Sequence, residues 1–260
     1  MQFIKVKIEN TIATITLDND RQRNAFDANV LSELCAAFDT ISSSDDIRVV
    51  VIRNNPESSV WCAGSNIHAL PNSGKDPLPY NNPLEKLMRK IEEFPQPVIA
   101  MLDGSVWGGG CDLAFSCDLL VGTSKTSFAI TTAKMGVPYN ATGILNFLNR
   151  VPINIAKEMF YTAQPISAEK ALQLGILNHL IHKHEIEEFT YRLSNQIAEN
   201  SPLSIAVTKQ QLNLLSKSRP IESGTFEKIN QLRHIAYTSE DMEEGKQAFL
   251  QKRKPKFKGK

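Results

Sequence analysis

The sequence predicts an α/β fold, and three observations carry that expectation. Short apolar runs of strand character alternate with segments of helical periodicity. Two glycine-bearing loops, Cys62-Ala63-Gly64-Ser65-Asn66-Ile67 and Trp107-Gly108-Gly109-Gly110-Cys111-Asp112, follow directly on such runs. The later half then turns helical, with cap residues at each start.

Residues 3–9 and 12–17 read as a hairpin with Glu9-Asn10-Thr11 near its turn. From Ala28 to Ile41, Val30, Leu31, Leu34, Ala37, Phe38 and Ile41 recur at helical spacing. A strand over 48–53 leads into the first loop. The segment 71–82 is too rich in Pro, Gly and Asn for regular structure. A loop of that length in a compact domain is usually functional, and it reads as a lid beside a site. A helix over 84–94 ends at Phe94, because Pro95 and Pro97 cannot continue it. The strand Val98-Ile99-Ala100-Met101-Leu102 precedes the second loop, which opens into a buried helix over 111–117. Ser167 caps a helix over 168–174 that Gly175 closes. Helices over 185–199, 202–217, 221–236 and 240–250 follow. Ser201-Pro202 and Ser239, with its acidic first turn, supply start signals.

Composition narrows the function classes. Lys plus Arg number 29 and Asp plus Glu 28, so no whole-chain field attracts nucleic acid or a membrane. The basic residues do crowd the end, at Lys246, Lys252, Arg253, Lys254, Lys256, Lys258 and Lys260. Such a tail is either solvated or meets phosphates. Cys35, Cys62, Cys111 and Cys117 lack metal-ligand spacing and read as reduced thiols of a cytoplasmic protein. The first residues alternate like a strand and lack the apolar block of a signal peptide, and no stretch approaches ~18 apolar residues.

The loops suggest chemistry. A glycine run after a strand is commonly just a tight turn, and neither the dinucleotide nor the phosphate-loop spacing is present. As a pair, however, the loops can bring the N–H groups of Ser65 and Gly109 onto one oxygen. The start of a helix has N–H groups without intrahelical partners and favours negative charge. Two donors so placed make an oxyanion hole.

With Ile12-Ala13-Thr14-Ile15-Thr16-Leu17, Asn24-Ala25-Phe26 and Phe249-Leu250-Gln251-Lys252-Arg253-Lys254-Pro255-Lys256-Phe257, these loops make nearly the whole chain resemble the crotonase (enoyl-CoA hydratase/isomerase) superfamily. The resemblance implies a spiral of repeated strand-strand-helix turns over 1–195 carrying an acyl-CoA site, and a C-terminal helical region over 196–260 serving oligomerisation and CoA contact. It implies a trimer or dimer of trimers. It implies that Ala63, Gly64, Ser65, Asn66, Ile67 and Gly109 bind the thioester, that Thr131 contacts the acyl end, and that Lys252 contacts the CoA nucleotide. No cofactor or metal is expected, coenzyme A being part of the substrate.

Members of the superfamily differ in their acid and base. Hydratases carry one glutamate where this chain has Asp112 and a second where it has Thr132. Acid–base catalysis needs a group of suitable pKa within about 3 Å of its proton. Thr132 supplies none and Asp112 is a methylene shorter, so efficient hydration is not expected. Asp112 is either an acid/base or a structural carboxylate in the first turn of its helix. A malonyl-type thioester needs no base: loss of CO2 itself leaves the electron pair that the hole stabilises. Gly104-Ser105-Val106-Trp107, Met135-Gly136-Val137-Pro138-Tyr139-Asn140 and 171–179 resemble the branch that decarboxylates methylmalonyl-CoA to propionyl-CoA. There Tyr139 can hold the substrate carboxylate or a proton donor, or simply be a packed ring. Ser65-Asn66 stand where that branch shows His-Asp, and Gly110 where it can carry alanine. A hydratase/isomerase and a non-catalytic acyl-CoA-binding scaffold are the competing readings. His68, His179, His182, His184 and His234 have no evident partners in sequence, and His68 reads as structural or rim-lining.

Overall fold

The computed structural model describes residues 1–72, 74–216 and 222–259. Ser73 of the polar segment, the expected helix ends at Lys217 and Ile221, and Lys260 of the basic tail lie outside the described residues. Strands β1 (Ile4–Glu9) and β2 (Ile12–Leu17) form an antiparallel hairpin with Asn10 at φ 54° in its turn. Helix α1 (Ala28–Ser42) starts where the Asp27 carboxylate accepts the N–H groups of Asn29 and Val30. It buries Val30, Leu31, Leu34, Ala37, Phe38 and Ile41, the apolar set seen in sequence.

A repeating unit follows. Strands β3 (Val49–Asn54) and β4 (Val60–Cys62) lead to helix α2 (Pro83–Glu93). Strands β5 (Val98–Leu102) and β6 (Ser105–Trp107) lead to α3 (Gly109–Ser116). Strands β7 (Leu119–Gly122) and β8 (Ser127–Ala129) lead to a 3₁₀ turn over Thr132–Met135. Helices α4 (Ala141–Leu148) and α5 (Ile153–Thr162), strand β9 (Ile166–Ser167), helix α6 (Ala168–Gln173) and strand β10 (His179–Leu180) complete this part. In every unit the first strand joins a six-stranded sheet ordered β1-β2-β3-β5-β7-β10. The second joins a four-stranded sheet ordered β4-β6-β8-β9. The chain thus advances as a spiral of strand–strand–helix turns. Helix α3 starts two residues earlier than Cys111, because the glycines themselves take helical geometry, and α4 and α5 have no counterpart in the sequence expectations.

Side chains alternate across the large sheet. Ile15, Leu17, Val50, Ile52, Ala100, Leu102 and Leu120 face a core shared with α1, α2 and α3. Val49, Val51, Ile99, Met101 and Val121 face Ile186, Phe189, Leu193 and Ile197 of α7 (Ile186–Ala198). Parallel strands covered on both sides read as continuous apolar runs, as 49–52 and 98–102 do. The expected boundary after residue 195 therefore falls inside a helix that the sheet needs for cover. The helices beyond it are α8 (Pro202–Ser216), α9 (Ser223–Tyr237) and α10 (Glu240–Leu250).

Helix α10 lies backbone to backbone on the Thr132–Met135 turn. A Cβ at Gly245 would sit 2.3 Å from the Met135 carbonyl, and one at Gly136 (φ 65°) 2.6 Å from the Asp241 carbonyl oxygen. The tail folds back along α10, with Arg253 pairing Glu244 at 2.6 Å and the Lys258 and Gly259 N–H groups donating to Asp241. No helix among the described residues is long and apolar enough to cross a membrane.

Candidate active site

Strands β4 and β6 are parallel neighbours, with Cys62 opposite Val106, so the two glycine loops leave the small sheet side by side. Gly64 has φ 84°, and a Cβ there would meet the Trp107 carbonyl oxygen at 2.5 Å and the Gly109 nitrogen at 2.8 Å. Only glycine permits that approach. The first loop is pinned from behind: Phe26 N–H donates to Gly64 O at 2.7 Å, Asn66 N–H to Phe26 O at 2.8 Å, and Ala63 N–H to Arg23 O at 3.0 Å. Asn24 is left-handed at φ 53°, and its side-chain amide donates to the carbonyls of Val60 and Trp61. That is what the Asn24-Ala25-Phe26 segment does.

The result is a pair of aligned donors. A Cβ at Gly109 would lie 3.5 Å from the Ser65 nitrogen, so both N–H groups border one small space. Neither has a protein acceptor among the described residues. Gly109 is the first residue of α3 and its N–H has no intrahelical partner. Gly110 is glycine for a local reason: a Cβ there would stand 2.9 Å from the Cβ of Cys62. Burial pushes the Cys62 thiol up to about 12, so it packs and does not react.

The donors open into a cavity of about 60 Å³. Ala63, Ser65, Ile67, Gly109, Asp112, Thr131 and Tyr139 line it, together with Leu70, Leu78, Leu84, Thr132, Met135 and Val137. Gly64 and Asn66 stand behind this lining, Asn66 accepting the His68 N–H at 3.0 Å and so opening the short 3₁₀ turn over Ile67–Ala69. Lys252, at φ 54° just past α10, is exposed and does not line the cavity.

In the cavity wall Tyr139 Oη donates to Asp112 Oδ2 at 2.5 Å, and both residues are buried. Asp112 Oδ1 has no hydrogen-bond partner. Burial pushes the Asp112 carboxyl up to about 7; the Tyr139 hydrogen bond opposes this, and the Glu85 charge adds to it. Burial, and then the Asp112 charge, hold the Tyr139 phenol well above its ordinary range. The ring packs edge-on against Phe147 and Phe160, 6.1 and 5.1 Å away between centroids. Gly143 makes room for it, since a Cβ there would come within 2.4 Å of Tyr139 Cε1. Asn140 accepts the Gly143 N–H and donates to Glu85 Oε1 at 2.5 Å. Glu85, on α2, is buried and its carboxyl is raised, first by that burial.

Sequence reasoning passed over Glu85, Asn140, Asp76 and Arg233. Arg233 on α9 donates to both Asp76 oxygens and to the carbonyls of Leu78 and Tyr139. Lys246 on α10 donates to the carbonyls of Leu70 and Pro71. These two cations tie the polar segment over the cavity. Their partners in the polar segment are more than 150 residues away and Tyr139 is 94 away, so no local pattern could have revealed them. None of the histidines lines the cavity: His68 is exposed, His179 packs at a tilt against Phe189, His182 and His184 lie 5.2 Å apart between ring centroids, and His234 meets Tyr237.

Residues 7–260 match the family described as enoyl-CoA hydratase/isomerase. The chain is 40% identical over 258 residues to methylmalonyl-CoA decarboxylase of Escherichia coli strain K12, covering 99% of this chain and 98% of that protein. It is 32% identical over 251 residues to carnitinyl-CoA dehydratase of Salmonella typhi, covering 95% of each. A solved structure of methylmalonyl-CoA decarboxylase in complex with 2-nitronate-propionyl-CoA superposes with a TM-score of 0.97 at 40% identity, over 100% of this chain and 99% of that one.

Proposed function

Because the chain belongs to the enoyl-CoA hydratase/isomerase family, we propose that it is the carboxy-lyase its site describes, decarboxylating methylmalonyl-CoA to propionyl-CoA. The observation that carries this is the pair of unpartnered N–H groups, Ser65 and Gly109, bordering a small, mainly apolar cavity. The thioester carbonyl accepts both. The substrate carboxylate turns out of the carbonyl plane among Ile67, Leu70, Leu78, Met135 and Val137, where it is stripped of water. The bond from the α-carbon to the carboxylate breaks, and its electron pair passes through that carbon to the carbonyl oxygen. CO2 leaves, and the enolate sits on two fixed dipoles. A proton from a water molecule entering the site then adds to the α-carbon to give propionyl-CoA and hydroxide, which bulk solvent neutralises. No cofactor is required, since the carbonyl itself takes the pair.

Tyr139 has one O–H, which points at Asp112. When Asp112 is neutral it can donate to Tyr139 Oη instead, freeing the phenol to hold the substrate carboxylate. Burial keeps Asp112 in that form up to about pH 7. Thr131 borders the acyl end, and the limited cavity suits a short acyl group. Lys252 meets the CoA nucleotide from outside the cavity. Hydration is disfavoured, because Thr132 brings no carboxylate.

The working enzyme in this proposal is a trimer or dimer of trimers. The exposed Leu203, Leu212 and Leu214 of α8 and Leu232 and Ile235 of α9 support assembly through the C-terminal helices. The free cysteines are in keeping with a cytoplasmic location. The test is to incubate the pure protein with methylmalonyl-CoA and with crotonyl-CoA, following CO2 release and the enoyl absorbance. CO2 release with little hydration supports the proposal, and the reverse pattern refutes it.

A further inference from the structure

We propose that Arg233, on the C-terminal helix α9, is a positioning residue that sets Tyr139 and the covering segment together. It rests on the decarboxylation reading only for its kinetic test. The guanidinium is buried and engages two stretches of chain, Asp76–Leu78 and Tyr139. Its Nη1 and Nη2 donate to the two oxygens of Asp76 at 2.9 and 2.6 Å, its Nη2 to Leu78 O at 3.3 Å, and its Nε to Tyr139 O at 3.1 Å. The planar fork of arginine matches a carboxylate with two donors and still leaves Nε for a third direction. Lysine has no such geometry.

The joined parts are parts of the site. Leu78 and Tyr139 both line the acyl cavity, and Leu78 lies two residues from Asp76. The described residues of 71–82 form no strand or helix. Their own turns, Leu78 N–H to Asp76 Oδ1 at 2.9 Å and Asn82 N–H to Pro79 O at 2.8 Å, are joined by bonds from outside, Gly74 N–H to Tyr237 O and the Arg233 guanidinium. Tyr139 is held at its ring by Asp112, Gly143, Phe147 and Phe160 and at its backbone by Arg233. A buried cation is tolerated only with all of its partners in place. The guanidinium therefore favours one arrangement in which the cover is down and the Tyr139 carbonyl is at its station. A displacement of about 1 Å in a positioning group can cost ~10²-fold in rate.

The test compares Arg233→Met, Arg233→Lys and Asp76→Asn in the wild-type background and in Tyr139→Phe, with thermal melts to confirm folding. Acting through the Tyr139 hydroxyl, Arg233→Met should lower kcat by about 10- to 100-fold in the wild-type background. In Tyr139→Phe its further effect should shrink to within about 3-fold. Lysine should restore part of the loss, and Asp76→Asn should raise KM with a smaller change in kcat. Equal fold-losses in both backgrounds, or an unchanged kcat in folded Arg233→Met, would overturn the inference. Should Arg233→Met not fold, Arg233→Lys carries the same comparison. Hydrogen exchange over residues 74–80 gives a readout independent of turnover. Faster exchange in Arg233→Lys upholds the clamp even if wild type releases no CO2, an outcome that sinks the functional reading alone; unchanged exchange refutes the clamp.

Discussion

Replacing Gly109 with alanine tests the hole most directly. The added Cβ would lie 3.5 Å from the Ser65 nitrogen, 3.2 Å from Ser65 Oγ and 2.9 Å from Leu84 Cδ2. The first two contacts put the methyl group in the space that the carbonyl oxygen must enter. The third is with the end of a flexible side chain that can turn away, so the protein should fold. Gly109 does not have a positive φ, so alanine adds no backbone strain there. Losing one donor from such a hole costs about 3 kcal/mol, or ~10²- to 10³-fold in kcat. Alanine obstructs the donors without deleting them, so ~10²-fold is expected, with a small change in melting temperature. Release of CO2 from methylmalonyl-CoA under saturating substrate measures the effect. Ser65→Ala is the control, because only the Ser65 backbone is used, and it should stay within about 3-fold. A Gly109→Ala enzyme of near-wild-type kcat, or a folded Ser65→Ala enzyme without activity, would show that the carbonyl is not bound between these two groups.

Other outcomes follow from the same geometry. Crotonyl-CoA hydration should be at least ~10²-fold slower than decarboxylation, because Thr132 supplies no acid or base; comparable rates measured at the enoyl band would contradict the assignment. Neutral Asp112 frees Tyr139, so kcat/KM should be flat below neutrality and fall as pH rises through about 7. The folded carboxyl binds its proton more tightly than the unfolded one, so stability is lost between the unfolded value of 3.8 and about 7. Asp112→Asn should accordingly gain melting temperature relative to wild type as pH rises across that window, and a gain independent of pH would argue against a neutral Asp112. Lys252→Ala should raise KM for the CoA substrate and leave kcat nearly unchanged, since a nucleotide contact binds ground and transition states alike. An unaltered KM at low salt would assign the charge of the tail to another use.

Local chemistry made much of the molecule legible. The apolar spacing of α1, the Ser167, Ser201 and Ser239 caps, and the prolines after Phe94 each mark an element through a neighbour only a few residues away. The strand-then-glycine pattern located both loops for the same reason, and Asp112 and Tyr139, pointed to by the family resemblance, line the cavity. What stayed hidden depends on contacts between distant segments. Helices α4 and α5 lie among prolines at 138 and 152 and show no single apolar stripe. The 195/196 division falls within α7, whose cover of the back face of the sheet is visible only once the strands are paired. Glu85 and Asn140 meet across 55 residues, and nothing in either segment marks it as buried.

The span of these contacts also sets when the site can exist. Ser65 and Gly109 come together only after β4 and β6 have paired in parallel, which requires the long crossover through α2. The cover is tied by a bond across 157 residues, from Asp76 to Arg233, and by Lys246 still later in the chain. Contacts of such sequence separation form late, because loop closure must precede them. During synthesis the acyl cavity stays open until nearly the whole chain has emerged. On refolding, recovery of turnover should trail recovery of helix signal, so enzymatic activity in this protein is a clock for the last step of folding.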